Sequence, residues 1–112
     1  MRRIEEIVAS STIPGTGARL EIKGEFKPLV QDEGSRTLFE VYAGAMSELG
    51  RPVEGEIVGG CADSGFTAAV GCPTICATGP VGGKAHSPEE YLEIESMVPR
   101  AQGLALAIAR LG

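Results

Sequence analysis

Segments with helical periodicity alternate along this chain with short apolar segments, and glycine-rich turns separate them. Helices that alternate with short strands favour an α/β fold, because parallel strands need crossover connections between them. The pattern therefore predicts helices layered around a short, largely parallel sheet. The clearest helix has an apolar face made by Leu38, Val41, Tyr42, Ala45 and Leu49.

Four stretches predict strands. The stretch ARLEIKGEF alternates apolar and charged residues as a half-buried strand does, and YLEIES alternates again near the end of the chain. The stretch GEIVGG is short and apolar, and Val70 to Ala77 has the character of a buried strand. These strands are expected to supply the sheet of the fold.

Three more helices complete the predicted elements. The first dozen residues predict an amphipathic helix, because apolar residues recur there at helical spacing. Asp63 or Ser64 can cap a short helix, and Ser96 can cap a last one that tolerates a proline in its first turn. The last helix is expected to bury the stripe formed by Leu104, Ile108 and Leu111.

Composition narrows the class of protein. The chain has 112 residues and a formal net charge of −5. One modest domain is expected, and nucleic-acid and anionic-membrane partners are disfavoured because both need a clustered basic face. Acidic residues follow the first two arginines where a signal peptide has its apolar core, and no apolar run approaches the ~20 residues of a membrane span. We therefore expect a soluble, cytoplasmic protein.

The three cysteines, Cys61, Cys72 and Cys76, are an odd number in a chain without an export signal, which favours reduced thiols. A zinc site made from them and His86 is one interpretation. On a strand, however, Cys72 and Cys76 lie about 13 Å apart, too far for one ion. Buried apolar thiols are the favoured interpretation.

Two glycine-rich turns, GGCADSG and GPVGGKAHS, each follow a predicted strand and are expected to share the rim where α/β sheets bind ligands. Gly82 and Gly83 can adopt positive φ and let backbone groups approach a ligand. His86, the only histidine, comes next, and Glu90 can orient its ring if the segment turns helically. Spacing alone leaves two interpretations open: a ligand or catalytic histidine, and a surface histidine without a role.

The stretch from Gly59 to Ala101 contains an ordered series of motifs. A Gly-Gly turn is followed by an aspartate, a short helix with an aromatic residue, G-x-P, a strand and G-P-x-G-x-x-x-H-x-x-x-E-Y. In this series the chain resembles the C-terminal part of the two-zinc aminoacylase, dipeptidase and carboxypeptidase family (peptidase family M20), especially its glutamate carboxypeptidase-like members. The matching residues are Gly59, Gly60, Asp63, Phe66, Gly71, Pro73, Gly79, Pro80, Gly82, Gly83, His86, Glu90 and Tyr91.

The resemblance implies roles for the residues around the second turn. His86 would be the final zinc ligand, and the loop with Gly82 and Gly83 would help to line the pocket for the substrate carboxylate. Asp63 and Glu90 would support the metal site without binding the metal. A ligand role for His86 thus becomes the preferred interpretation.

The resemblance also divides the chain into two parts. Residues 1–28 would end a lid or dimerisation domain, and residues 29–112 would be the C-terminal part of the catalytic domain. Lys27 falls near an arginine that binds substrate carboxylate in relatives, although a solvated lysine at a strand end is an equal interpretation. Ala62 and Gly65 depart from the polar residues that relatives more often have, which leaves the detailed substrate contacts open.

The resemblance implies a site that this chain does not complete. Family members bring most metal ligands and a Glu-Glu pair from their N-terminal half, and those motifs are absent here. The complete enzyme would hydrolyse peptide or N-acyl amino acid amides with two zinc ions, or with cobalt or manganese. We expect the chain to be a C-terminal fragment, inactive alone, whose uncovered core faces favour a homodimer or self-association.

Two hypotheses from other classes remain. A free-standing module derived from the same fold would recognise a small carboxylate through GPVGGKAH and bind it without turnover. A structural zinc domain of cysteines and histidine would hold about one zinc ion per chain and unfold with a chelator.

Overall fold

The computed structural model describes all residues from 1 to 112 and contains four helices and two short strands. The helices are α1 (Arg2–Ala9), α2 (Glu33–Glu48), α3 (Ser64–Ala69) and α4 (Ile94–Leu111). The strands β1 (Gly82–Gly83) and β2 (Tyr91–Leu92) lie between α3 and α4. All four predicted helices are confirmed, although the prediction that Ser96 caps α4 is wrong, because the helix begins at Ile94.

The core lies where α2 packs against α4. Its buried apolar residues are Tyr42, Ala45 and Met46 of α2 and Ala107 of α4. Gly103 is buried at the same contact, and a Cβ atom there would overlap the sulfur of Met46. Small residues on α4 therefore allow the two helices to approach closely.

The predicted buried stripe of α4 is wrong. Leu104, Ile108 and Leu111 are exposed to 38%, 62% and 55%. The buried positions are instead Gly103 and Ala107, one helical turn apart. These three large apolar side chains thus stay largely exposed in this chain, whereas Leu106 packs partly buried against the core.

The segment after α3 runs along α2 and is held there by polar contacts. The backbone N–H of Thr74 donates to the buried hydroxyl of Ser35 at 3.0 Å. The hydroxyl of Tyr42 donates to the carbonyl oxygen of Thr78 at 3.3 Å and accepts a bond from Arg100 of α4 at 3.0 Å. Tyr42 therefore links α2, α4 and this segment.

The only sheet is the antiparallel pair of β1 and β2. The predicted strands in ARLEIKGEF, GEIVGG and the stretch from Val70 to Ala77 do not form in this chain. Because a strand needs a neighbour to pair its backbone groups, these stretches stay extended or irregular without one. The layered α/β arrangement with a parallel sheet stays a prediction.

The expectation of buried cysteines is wrong. Cys61, Cys72 and Cys76 are all exposed and unpaired. The segment that holds two of them lies along α2 with Thr74 and Ile75 turned inward, so it is not enclosed within a sheet.

Most of the chain buries little surface. Seven of the 112 residues are buried, and the radius of gyration is 19.7 Å, whereas a compact chain of this length has about 13 Å. Residues 18–31 and 52–61 donate no backbone hydrogen bonds to other backbone groups. None of the helices combines the length and apolar character needed to cross a membrane.

The contact between Gly103 and Met46 gives a test of the core. We expect Gly103→Leu to lower the free energy of unfolding by about 1–3 kcal/mol, because the new side chain overpacks the contact between α2 and α4. Gly44→Leu is the matched control, because nothing lies within 4 Å of a Cβ atom at Gly44. It should stabilise α2 by up to about 1 kcal/mol through helix propensity. Urea unfolding followed by circular dichroism measures both, and equal effects would contradict this packing.

The start of α2 gives a test against pH. The backbone N–H of Ser35 donates to Asp32 Oδ1 at 2.7 Å, and this bond holds the pKa of the Asp32 carboxyl below its ordinary value. The unfolded chain therefore binds the proton more tightly than the folded chain. Ionised Asp32 should therefore stabilise the folded chain fully above the unfolded pKa of about 3.9. This stabilisation should be lost as the pH falls through the lower pKa of the folded chain.

Asp32→Asn separates the capping bond from its charge. Asparagine is also a good helix cap, so we expect α2 to keep its start but lose the part of the pH dependence that Asp32 supplies. Urea unfolding of both proteins over a series from neutral to acidic pH measures the difference. Identical pH profiles would show that ionisation of Asp32 contributes nothing to the pH dependence of stability.

Candidate functional site

The segment around His86 is a hairpin anchored to the start of α4. β1 and β2 pair Gly82 with Leu92 and Gly83 with Tyr91, and a loop of residues 84–90 joins them. Beyond the strands, the backbone N–H of Glu93 donates to the carbonyl oxygen of Val81 at 2.9 Å. The backbone N–H of Val81 in turn donates to the hydroxyl of Ser96 at 2.8 Å. The first turn of α4 therefore fixes the base of the hairpin.

The two glycines of β1 are required by the packing of Tyr91. A Cβ atom at Gly82 would lie 2.5 Å from the carbonyl oxygen of Tyr91, and one at Gly83 would lie 2.8 Å from its ring. Neither glycine uses the positive φ that it could adopt. They are extended because they belong to a strand, and their small size admits Tyr91.

Two residues inside the loop have positive φ values instead. Lys84 has a φ of 56° and His86 a φ of 64°, a region that residues with a Cβ atom seldom occupy. The hydroxyl of Ser87 donates to the carbonyl oxygen of Lys84 at 2.8 Å and accepts from the backbone N–H of Glu89 at 3.2 Å. The loop is thus a pair of tight turns built around Ser87.

The Glu90 carboxylate contacts the backbone of His86. Its Oε2 atom accepts the His86 backbone N–H at 3.2 Å. No hydrogen bond joins the carboxylate to the imidazole, which stands on an exposed residue. The spacing of four residues therefore brings these groups together as expected, but the contact holds the main chain, and orientation of the ring stays a prediction.

The imidazole of His86 is a donor group that suits a metal ion. His86 is exposed, and an imidazole nitrogen is a common ligand of zinc, cobalt and manganese. The chain has no group of three or more histidine, cysteine or carboxylate side chains that could hold a metal ion. The hypothesis of a structural zinc domain is therefore wrong for this arrangement, because such a domain needs four ligands together.

Lys27 and Asp63 lie near a second contact, in which the segment with Phe26 and Lys27 packs on α3. Gly65 of this helix is buried, and a Cβ atom there would overlap the carbonyl oxygen of Lys27. The rings of Phe26 and Phe66 lie 5.6 Å apart at the same place. Gly65 thus admits the backbone of Lys27 because it has no side chain.

The side chains of Lys27 and Asp63 make few contacts that stabilise the fold. The ammonium of Lys27 lies 3.4 Å from Glu25 in an exposed ion pair, which contributes little to stability. Asp63 stands at the N-terminus of α3, and its side chain makes no capping bond. Both side chains are thus available to other groups.

The candidate residues lie on open surfaces. A cleft of about 320 Å³ lies between the end of α2 and the start of α4, and Arg51, Val81 and Arg100 help to line it. None of the predicted site residues lines that cleft. Lys27, Asp63 and His86 are instead exposed residues outside it.

The sequence interpretation missed Ser87 and the way in which Tyr91 uses Gly83. The signal for Ser87 was present, because a serine before Pro-Glu-Glu is typical of a hydroxyl that bonds nearby backbone groups. The contact between Tyr91 and Gly83 had no local signal, since it depends on the register of β1 and β2.

Comparison with known proteins identifies the family. The family model of peptidase family M20/M25/M40 matches residues 4–110. The chain therefore belongs to this family of peptidases, which are hydrolases. Neither the curated proteins nor the solved structures include a significant match to this chain.

The packing of Tyr91 on Gly83 gives a test of the hairpin. We expect Gly83→Ala to displace the Tyr91 side chain and to weaken the strand pair, because a Cβ atom would lie 2.8–3.0 Å from two ring carbons and the hydroxyl oxygen of Tyr91. In a Tyr91→Ala background the same change should cost much less, so the two substitutions should be non-additive. Hydrogen exchange of the hairpin amides measures the effect. Gly79→Ala is the control, since its Cβ atom meets nothing within 4 Å, and additive effects would contradict the packing.

Proposed function

We propose that this chain is the C-terminal part of a metal-dependent member of the family, a glutamate carboxypeptidase-like exopeptidase or amidohydrolase. Its substrates would be short peptides or N-acyl amino acids, and zinc, with cobalt or manganese as alternatives, would be its metal. The observation that carries the proposal is an exposed histidine on a hairpin loop, inside the matched region of a peptidase family. Its reduced, exposed cysteines favour a cytoplasmic location.

In this proposal His86 supplies one metal ligand, and the remaining ligands come from residues outside this chain. When bound, a pair of metal ions supplies polarisation of the amide carbonyl and a lower pKa for the attacking water. The part of this chain is to hold one imidazole at a fixed place. The hairpin suits that role, because strand pairing and the start of α4 both fix its base.

We also propose that the hairpin loop and Lys27 contact the substrate carboxylate. The loop carries exposed backbone beside Gly82 and Gly83, and the Lys27 side chain has only an exposed ion pair to give up. An ammonium attracts a carboxylate without the bidentate geometry of arginine. This assignment favours substrates with a free C-terminal carboxylate, including acidic ones.

The exposed apolar surface supports a larger assembly. Ile57 is fully exposed, and α4 exposes Ile94, Val98 and Ile108 to more than 60%. Residues 1–28 as the end of a lid domain and residues 29–112 as part of a catalytic domain would bury such surface against other segments. Without them we expect the isolated chain to self-associate or form a homodimer. Light scattering that finds a monomer at high concentration would contradict that expectation.

Activity should be measured on the polypeptide encoded by the complete reading frame that contains this sequence. We expect it to hydrolyse N-acyl amino acids or dipeptides, to lose that activity with a chelator and to regain it with Zn²⁺, Co²⁺ or Mn²⁺. His86→Asn should lower kcat/KM by about 10³-fold or more and weaken metal binding, because a ligand is lost. The 112-residue chain alone should show no turnover.

The cysteines provide matched controls. Cys72→Ser and Cys76→Ser change exposed groups that are also potential metal ligands, and we expect both to leave kcat/KM unchanged. Full metal-dependent activity in His86→Asn would refute its ligand role. Binding of a small carboxylate by calorimetry, without hydrolysis of any substrate, would instead favour the non-catalytic binding module.

A further inference from the structure

The loop of the hairpin holds two residues in a costly conformation. Lys84 and His86 both have φ values near +60°, and left-handed backbone is unfavourable for a residue with a Cβ atom. Such a conformation persists only where the surroundings enforce it. The loop is exposed along its whole length and packs on no core residue. The enforcement must therefore come from contacts within the loop.

The side chains of Glu90 and Ser87 make the hydrogen bonds that hold the backbone of the loop in place. The Glu90 carboxylate accepts the backbone N–H of His86. The hydroxyl of Ser87 joins the carbonyl oxygen of Lys84 to the backbone N–H of Glu89. The backbone N–H of Glu90 then donates to the carbonyl oxygen of Ser87 at 3.1 Å, which closes the second turn. These bonds lie on either side of His86 and fix its φ and ψ.

Glu89 offers a contrast within the same loop. Its carboxylate pairs with the ammonium of Lys84, and both side chains are more than half exposed. Exposed ion pairs of this kind contribute little, and this one touches neither the backbone nor the ring of His86. The two adjacent carboxylates therefore differ, because Glu89 pairs with an exposed ammonium and Glu90 binds the main chain of His86.

We propose that Glu90 and Ser87 are positioning residues that set the direction of the His86 imidazole by holding its main chain in the left-handed conformation. The proposal rests on the proposed function, in which His86 is a metal ligand. Glu90 acts through the backbone amide, not through the ring. The direction of the Cα–Cβ bond follows from φ and ψ, so the orientation of the ligand is fixed before any metal binds. A ligand held in this way binds without first losing the freedom of a mobile loop.

Hydrogen exchange of the His86 amide, observed by NMR on the 112-residue chain, tests the positioning without any catalysis. Glu90→Ala should speed that exchange by about tenfold, as expected for the loss of a bond to a charged acceptor. Glu90→Gln retains an acceptor oxygen and should recover part of the protection. Glu89→Ala, the matched control, should leave the His86 amide unchanged. Ser87→Ala should speed exchange of the Glu89 amide.

Zinc affinity of the complete reading-frame product tests the consequence. Calorimetry with Zn²⁺ alone should show a Kd about 10- to 100-fold higher for Glu90→Ala, an intermediate value for Glu90→Gln and no change for Glu89→Ala. Unchanged exchange in Glu90→Ala, or equal effects of Glu89→Ala and Glu90→Ala, would overturn the positioning role.

The two readouts separate this inference from the proposed function. If His86→Asn abolishes zinc binding while Glu90→Ala alters neither exchange nor affinity, the positioning role fails and the ligand role stands. If Glu90→Ala speeds exchange at His86 while His86→Asn leaves zinc binding intact, the loop geometry is correct but the proposed function fails, and the inference fails with it.

Discussion

The contact between α2 and α4 is the interaction on which the other elements depend. Gly103 lies against Met46, and the absence of a side chain there brings the two helices close enough to enclose Tyr42. Tyr42 in turn bonds Thr78 and Arg100. The segment that leads into β1 is thereby tied to α2, while β2 leads directly into α4. The hairpin with His86 therefore has both of its ends attached to the one well-packed part of the chain.

The helices could be predicted from sequence because their signals are local. Periodicity and stop signals located α2 within a few residues, since its hydrogen bonds are made within the segment itself. The strands could not be tested in the same way, because alternation of apolar and polar residues indicates a strand only if a partner supplies the pairing. The prediction of the buried face of α4 is wrong for a related reason. Helical periodicity shows which residues share a face, but here a glycine and an alanine are the buried residues of α4, and Leu104, Ile108 and Leu111 stay exposed.

The candidate site was predictable in its residues but not in their contacts. Spacing brought Glu90 to His86, and the structure joins them through the main chain. The sequence predicts that the glycines of β1 let backbone groups approach a ligand, whereas the register of two short strands places Tyr91 on them. Contacts of this kind depend on which residue faces which across a turn, and a shift of one residue would reverse them. Sequence motifs fix the order of such residues along the chain, not their pairing.

The incomplete core and the incomplete metal site have the same physical explanation under the proposed function. A strand without neighbours leaves backbone groups to water, and an imidazole without other ligands holds a metal weakly. In residues 52–61 the backbone makes no bonds to other backbone groups and Ile57 is fully exposed, while His86 stands alone on its loop. If one partner segment supplies both the neighbouring strands and the other ligands, folding of the sheet and assembly of the metal site become the same event. The hairpin is then useful because it is ordered in advance. It depends on α2 and α4, which pack without that segment, so it can present His86 before the partner arrives.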